Sequence, residues 1–365
     1  MPASAAAPPV VPAAVLDDLR ARIGAFRPVA LQQAQGWTLG IDPAYLDELL
    51  YQWRGDYDWR DVEGRIRGLP WVTAGPKEGP VRVVHARAED PDAAAVVLLH
   101  GWPDSVLRFQ KVLPLLTDVH VVVPALPGYP FALPTASRVA SAADMATALA
   151  AAVAELGYDR YVLSAGDVGT DVAESWAAAH PQRVAAVHLT DVSHRHALVD
   201  PPDDPSPAER SYLDAVERWH AGEGAYNHQQ STRPNTLAVG LGDSPAGLAA
   251  WIVEKLYHWA DCGGDLESVF TRQDVLDWVT AYWVTGSIGT SFSPYAHRAA
   301  PGPVTAPAAF TMFPGDIVNA PRDFAARFFD VRSWNVASGG GHFDAWERPA
   351  DYVEGIRAAI AHRYT

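Results

Sequence analysis

The sequence predicts an α/β protein built on a mostly parallel, doubly wound sheet and interrupted by a helical insertion. Three observations carry that expectation. Residues 93–100 and 120–126 are continuous apolar runs, the pattern of strands buried on both faces. Strand-like runs then alternate with helical stretches as far as residue 190, as crossover connections require. From about 193 to 301 the alternation stops, and it resumes beyond 307.

The elements follow in chain order. Residues 1–13 are rich in Ala and Pro and predict a disordered arm. Residues 14–80 are polar and rich in Trp, with helices at 15–23 and 43–53, where Leu46, Leu49 and Leu50 recur at helical spacing. Residues 81–85 alternate as a strand does. A helix at 141–157 has Ser141 as its N-cap and Gly157 as its stop. A strand at 160–166, a helix at 169–179 and a strand at 184–190 complete the first half. Residues 193–301 are helical and rich in Trp and Tyr, with proline-rich breaks at 200–207 and 299–307. A strand at 308–313, a helix near 322–328, a strand at 331–337 and a helix from Pro349 close the chain. The economical reading is one core, residues 81–192 and 302–365, split by an insertion of domain size at 193–301.

Composition narrows the function. The chain has 365 residues, 48% hydrophobic and 19% charged, enough for a large core and too apolar for global disorder. A net charge of −15 argues against a nucleic-acid partner and against an anionic membrane surface. The single cysteine, Cys262, excludes an internal disulfide framework and a multi-cysteine zinc site. No run approaches the ~18 apolar residues of a membrane span. The first basic residue is Arg20, so the charged start of a secretory signal is missing, and a cytoplasmic protein is expected. The Ala/Pro/Gly/Arg-rich composition suggests a bacterium of high GC content.

Residues Ala165-Gly166-Asp167-Val168-Gly169 lie between a strand and a helix. Small residues flanking one functional side chain at such a turn form a nucleophile elbow. Here the exposed residue is Asp, not Ser. A carboxylate attacks sp³ carbon and leaves an alkyl ester, which water can then cleave at the carboxyl carbon. The bland alternative is a helix-capping Asp. Ser164 lies inside the strand, three residues too early. His100-Gly101-Trp102-Pro103 follows the first fully buried strand, where a hydrolase of this kind takes an oxyanion donor. The expected donors are the Trp102 and Val168 N–H groups.

His342, in Gly339-Gly340-Gly341-His342-Phe343 after the last strand, is the candidate general base. Asp316, after the preceding strand in Phe313-Pro314-Gly315-Asp316, is the candidate orienting carboxylate, and Asp191 is its competitor. The order nucleophile, acid, His is that of α/β-hydrolases. Asp344 and Glu347 read as solvated charges at the start of the last helix.

Taken together, these residues resemble an epoxide hydrolase of the α/β-hydrolase superfamily, in its microsomal-like branch. Gly36-Trp37, Tyr45-Leu46 and Tyr57-Asp58-Trp59-Arg60 resemble that branch's N-terminal meander, which wraps the core and packs on the cap. His100-Gly101-Trp102-Pro103, Pro127-Gly128-Tyr129 and Gly340-Gly341-His342-Phe343 match its oxyanion loop, a turn and its histidine loop. Residues 224–234 and 243–251 look like its cap signatures. The resemblance implies an α/β-hydrolase core with an inserted helical cap at 193–301 and a meander at 14–80. It implies two cap tyrosines that hold and protonate the epoxide oxygen, matched to Tyr226 and Tyr295, with Tyr282 as the alternative second. A phenol, of pKa ~10, can donate there without being ionised. Two departures stand out: Ala165-Gly166 replaces the family's Gly-Gly, and Val168 replaces a frequent Trp.

The expected reaction opens an epoxide to a vicinal diol with water and with neither metal nor cofactor. A haloalkane dehalogenase is the alternative, although Val168 offers no side-chain N–H to a halide and only Trp102 could. An epoxide-opening cyclase and a binding module on the same fold are further alternatives. Trp251, Trp259 and Trp283 suggest a bulky apolar or aromatic substrate, as in secondary metabolism, unless they merely pack the cap. A homodimer is left open.

Overall fold

The computed structural model describes residues 6–32, 36–134, 141–199, 201–297 and 302–363. Its centre is one eight-stranded sheet: β1 (Trp71–Ala74), β2 (Val81–Ala86), β3 (Ala95–Leu99), β4 (His120–Pro124), β5 (Tyr161–Ala165), β6 (Val184–Leu189), β7 (Pro307–Met312) and β8 (Asp330–Val336). The order is β1-β2-β4-β3-β5-β6-β7-β8. β2 runs antiparallel to both β1 and β4, and every other pair is parallel. Every residue of β3, β4, β5 and β6 is buried, which is why their sequences are continuous apolar runs rather than alternating ones.

The chain passes from β3 to β4 on one side and returns to β5 on the other side of β3. The carboxyl ends of β3 and β5 therefore flank the point where strand order reverses, where open α/β sheets bind ligands. Leu99 is paired with Ala165, so the loops that follow these two residues start side by side.

Between β6 and β7 the described chain is helical, with the longer helices at Pro207–Gly222, Ala225–Thr232, Pro234–Asp243, Pro245–Trp259 and Arg272–Thr285. Capping boxes at Ser206 and Thr271 satisfy exposed N–H groups at two of their starts. The N-terminal helices Ala13–Gly24, Pro43–Gly55 and Trp59–Arg67 lie against this insertion. Arg65 pairs with Asp277 at 2.9 Å, Arg22 with Asp243 at 2.7 Å, and Trp37 stacks on Tyr257 at 4.1 Å. Among the described residues no single helix is long and apolar enough to cross a membrane.

One expectation is corrected here, and two elements are added to those expected. The proposed disordered arm is docked from residue 6 onward, while residues 1–5 lie outside the described ones. Arg82, Arg67 and Arg60 donate to the carbonyls of Ala6, Pro8 and Val11, and the Val11 N–H donates to Glu63. These bonds use backbone atoms, so a composition dominated by Ala and Pro conceals them. The helix Trp59–Arg67 and strand β1 were not expected, being short; Asp58 caps the former, and β1 sits at the sheet edge. Residues 298–301, at the expected end of the insertion, and residue 200 lie outside the described residues.

Ser164 belongs to the core. Its hydroxyl bonds with His188 Nδ1 at 2.8 Å and donates to the Tyr352 hydroxyl at 2.8 Å, and His188 Nε2 meets Thr311 Oγ1 at 3.0 Å. Burial lowers His188 to about 3, so this cluster is neutral. The last helix, Pro349–His362, closes over it through Gly355. A Cβ there would lie 2.2 Å from both His188 Nε2 and Thr311 Oγ1. Gly355→Ala is expected to destabilise the protein by roughly 2–3 kcal/mol, despite the better helix propensity of Ala. A urea melt with an unchanged or higher midpoint would contradict this packing.

Candidate active site

The turn from β5 into the helix Val168–Ala179 sets Asp167 at φ 57° and ψ −134°. A non-glycine residue with positive φ is strained, and such strain persists only where surrounding contacts impose it. Gly169 imposes part of it: a Cβ there would lie 2.5 Å from the Leu99 carbonyl oxygen, so the helix can approach β3 only without a side chain. Gly101 faces the turn from the other side, where a Cβ would lie 2.3 Å from Asp167 Oδ1. The Trp102 N–H then donates to Oδ1 at 2.8 Å. One carboxylate oxygen is thus held by backbone, and the other, Oδ2, faces His342 Nε2 at 3.3 Å. Val168 opens the helix, but among the described residues its N–H makes no hydrogen bond to the Asp167 carboxylate.

His342 Nδ1 donates to Asp316 Oδ1 at 2.8 Å, and the same oxygen accepts the Ile317 N–H at 2.7 Å. Burial alone would lower the imidazole, yet Asp316 and Asp167 outweigh it and hold His342 well above its ordinary range. Burial would likewise raise Asp316, and His342 outweighs it, holding the carboxyl below its usual range. Asp191, the competing acid, accepts instead from the Thr170 hydroxyl. Burial, with Asp316 and Asp167 nearby, pushes its carboxyl well above the usual range. The structure thus pairs His342 with Asp316 and leaves Asp191 on the cavity wall.

Asp344 and Glu347 are not solvated charges. Asp344 is buried against the Arg108 guanidinium at 2.8 Å. Arg108 also binds Asp104 at 2.6 Å and the His342 carbonyl at 2.9 Å. Glu347 accepts the N–H groups of Gly341, Phe343 and Asp261, at 2.9, 3.0 and 2.9 Å. Asp261 in turn accepts the Gly340 N–H at 2.9 Å, and the His342 N–H donates to the Trp259 carbonyl at 2.9 Å. The histidine loop is therefore clipped to the end of the helix Pro245–Trp259. Glu347→Gln replaces one acceptor oxygen with an NH₂ that opposes an N–H donor. Turnover is expected to fall roughly ten- to a hundredfold through misplacement of His342, and the opposed N–H to cost roughly 1–3 kcal/mol of stability, seen as a lowered melting temperature. Stopped-flow and thermal measurements on the variant check both parts.

A cavity of about 110 Å³ lies at this point, and Asp167, Val168, Asp316, His342, Tyr226 and Tyr295 all line it. The two tyrosine rings are 6.1 Å apart, and the Trp102 ring packs against both, stacked on Tyr226 at 5.5 Å and edge-on to Tyr295 at 6.2 Å. Tyr282 is buried elsewhere, its hydroxyl donating to the Asp104 carbonyl at 3.0 Å. Trp251, Trp259 and Trp283 are absent from the cavity's described lining. Trp259 packs among Trp102, Tyr226 and His342, Trp251 donates to Gln230 at 3.3 Å, and Trp283 lies under Arg22. These rings pack the insertion, and they give no reason to expect a bulky apolar substrate. His194, His220 and Asn227 do line the cavity, and sequence reasoning passed over all three. The signal available was position: His194 follows Asp191 just beyond β6, and Asn227 adjoins Tyr226.

Comparison with known proteins agrees with this geometry. A family model described as epoxide hydrolase N terminus matches residues 7–109, and one described as alpha/beta hydrolase fold matches residues 94–239. The chain is 33% identical to a protein of Stigmatella aurantiaca named "Putative epoxide hydrolase", over 95% of this chain and 82% of that one. It is 26% identical to epoxide hydrolase 1 of Oryctolagus cuniculus, over 92% and 83%. The solved Aspergillus niger epoxide hydrolase superposes with a TM-score of 0.86 at 27% identity, covering 97% of this chain and 95% of that one. The juvenile hormone epoxide hydrolase of Bombyx mori superposes with a TM-score of 0.84 at 25% identity, covering 98% and 93%. With an aspartate at the elbow, a His–Asp pair beside it and this likeness along nearly its whole length, the chain belongs to the epoxide hydrolase family of the α/β-hydrolase fold.

Proposed function

We propose that the protein hydrolyses a small epoxide to a vicinal diol through an ester on Asp167. The observation that carries this reading is the division of labour at one carboxylate: Oδ1 is tied to the Trp102 N–H while Oδ2 faces His342. In the first step Oδ2 attacks an oxirane carbon, the C–O bond of the ring breaks, and a phenol of Tyr226 or Tyr295 gives its proton to the departing oxygen. His342, held protonated by two carboxylates, can restore that proton to the tyrosine. Ester formation cancels the charge of Asp167, removing one of the two anions that hold the imidazole high. His342 becomes a stronger candidate base at the stage that needs one.

Water then adds to Cγ of the ester as His342 Nε2 takes its proton. The developing oxyanion on Oδ1 is stabilised by the Trp102 N–H, with the Val168 N–H as the second expected donor at the head of its helix. Collapse breaks the Cγ–Oδ2 bond, the diol leaves with Oδ2 and the proton from His342, and the water's second proton passes from the Asp167 carboxyl to His342, restoring the carboxylate and the imidazolium. Halide displacement is disfavoured, because the Trp102 ring stacks on Tyr226 and is absent from the cavity's described lining.

The reading is tested by a single turnover in ¹⁸O-water with enzyme in excess over styrene oxide. The first diol formed is expected to carry no label, with ¹⁸O appearing in the peptide that contains Asp167. A labelled diol in that first turnover would mean direct attack by water and would overturn the ester.

A further inference from the structure

Lys255 is buried, yet it has no task in the two-step chemistry. It belongs to the helix Pro245–Trp259, and its Nζ lies over the Tyr226 ring, 5.1 Å from the centroid. The same ammonium lies over the Trp259 ring at 5.8 Å. Glu254 Oε2 meets Nζ at 2.6 Å, and Glu254 Oε1 faces His258 Nε2 at 3.7 Å. Packing gives no reason for a cation here. An unbranched apolar side chain would fill the space without the cost of desolvating a charge.

Tyr226 supplies a reason. Its ring is buried, stacked on Trp102 at 5.5 Å, and it lines the cavity with Asp167 and Asp316. As the phenol gives its proton to the departing oxygen, negative charge develops and spreads into the ring. Burial and the two carboxylates both oppose that charge. Two cations in the described lining are already engaged. His342 is flanked by Asp316 and Asp167, and Arg195 pairs with Glu174 at 3.2 Å. An ammonium over the ring acts on the developing phenolate directly. We propose that Lys255 is a positioning residue acting through Tyr226: its charge steadies the phenolate and sets Tyr226 as proton donor in ring opening. The phenolic proton goes to the epoxide oxygen, which keeps the electron pair of the broken C–O bond. His342 then returns a proton to the phenolate. This rests on the epoxide-opening reading above and adds a residue to it.

An opposite charge this close eases ionisation by about ten- to a thousandfold, and Glu254 and partial proton transfer each reduce that share. Lys255→Met is therefore expected to slow ester formation by about five- to twentyfold. The rate is read in the His342→Gln background, by rapid quench and intact mass with styrene oxide. Lys255→Arg should restore most of it. With Tyr226→Phe already present, Lys255→Met should change the rate by less than about twofold, because its target is gone. With His342 intact, ester hydrolysis in a single turnover should keep its rate. A general loosening of the helix would slow that step too, since the Trp259 carbonyl holds the His342 N–H. Lys255→Gln gives a second reading if Lys255→Met does not fold. A full effect in the Tyr226→Phe background, or none in its absence, overturns the proposal and leaves the ester standing. No ester in His342→Gln itself would overturn the ester reading and this proposal with it.

Discussion

His342→Gln is expected to halt the enzyme with its substrate attached. The glutamine amide cannot accept a proton from water, so the second step loses its base, a loss of roughly 10²–10⁴-fold. The first step keeps what the proposed mechanism needs: Oδ2 of Asp167 as the expected nucleophile, with Tyr226 and Tyr295 lining the same cavity. Ester should accumulate to nearly one equivalent per chain. Intact-mass measurement after mixing with styrene oxide should show the added mass of one epoxide, and peptide mapping should locate it on Asp167. Wild-type turnover in this variant would overturn the mechanism. An adduct formed only with a haloalkane would move the reading to dehalogenation.

The parts of the site legible in the sequence are those set by local geometry. The elbow is legible because a strand, a sharp turn and a helix must follow one another within a few residues, and only small neighbours leave Asp167 room. His342 and Asp316 lie 26 residues apart but each follows a strand of a parallel sheet, so topology alone brings them to one edge. What was illegible depends on contacts that residue type does not announce. Glu347 is a carboxylate in a polar stretch, and nothing in its neighbours shows that it will accept three backbone N–H groups. Arg108 and Asp344 pair across 236 residues. Trp259 looks like a substrate platform in sequence and is a packing residue in space, because aromatic rings serve both purposes equally well. His194 and His220 come together only once the insertion folds back on β6.

Asp167→Ala is expected to abolish turnover, by more than about 10⁴-fold, and to form no ester even when combined with His342→Gln. Loss of activity alone would not separate a nucleophile from a structural carboxylate, so the variant is best read through His342. In the wild type two carboxylates flank the imidazole, Asp316 at 2.8 Å and Asp167 at 3.3 Å, and their charges outweigh burial. Removing Asp167 leaves one. The sign follows: the imidazolium loses a stabilising anion while burial still favours the neutral ring, so the His342 pKa must fall. NMR titration of the ring protons should show this imidazole losing its proton at lower pH in Asp167→Ala than in the wild type. The alkylated enzyme should resemble the variant, since an ester carries no charge. An unchanged His342 titration would mean that Asp167 does not hold the proton in place. The proposed release of the base on ester formation would then be wrong, even if the nucleophile were right.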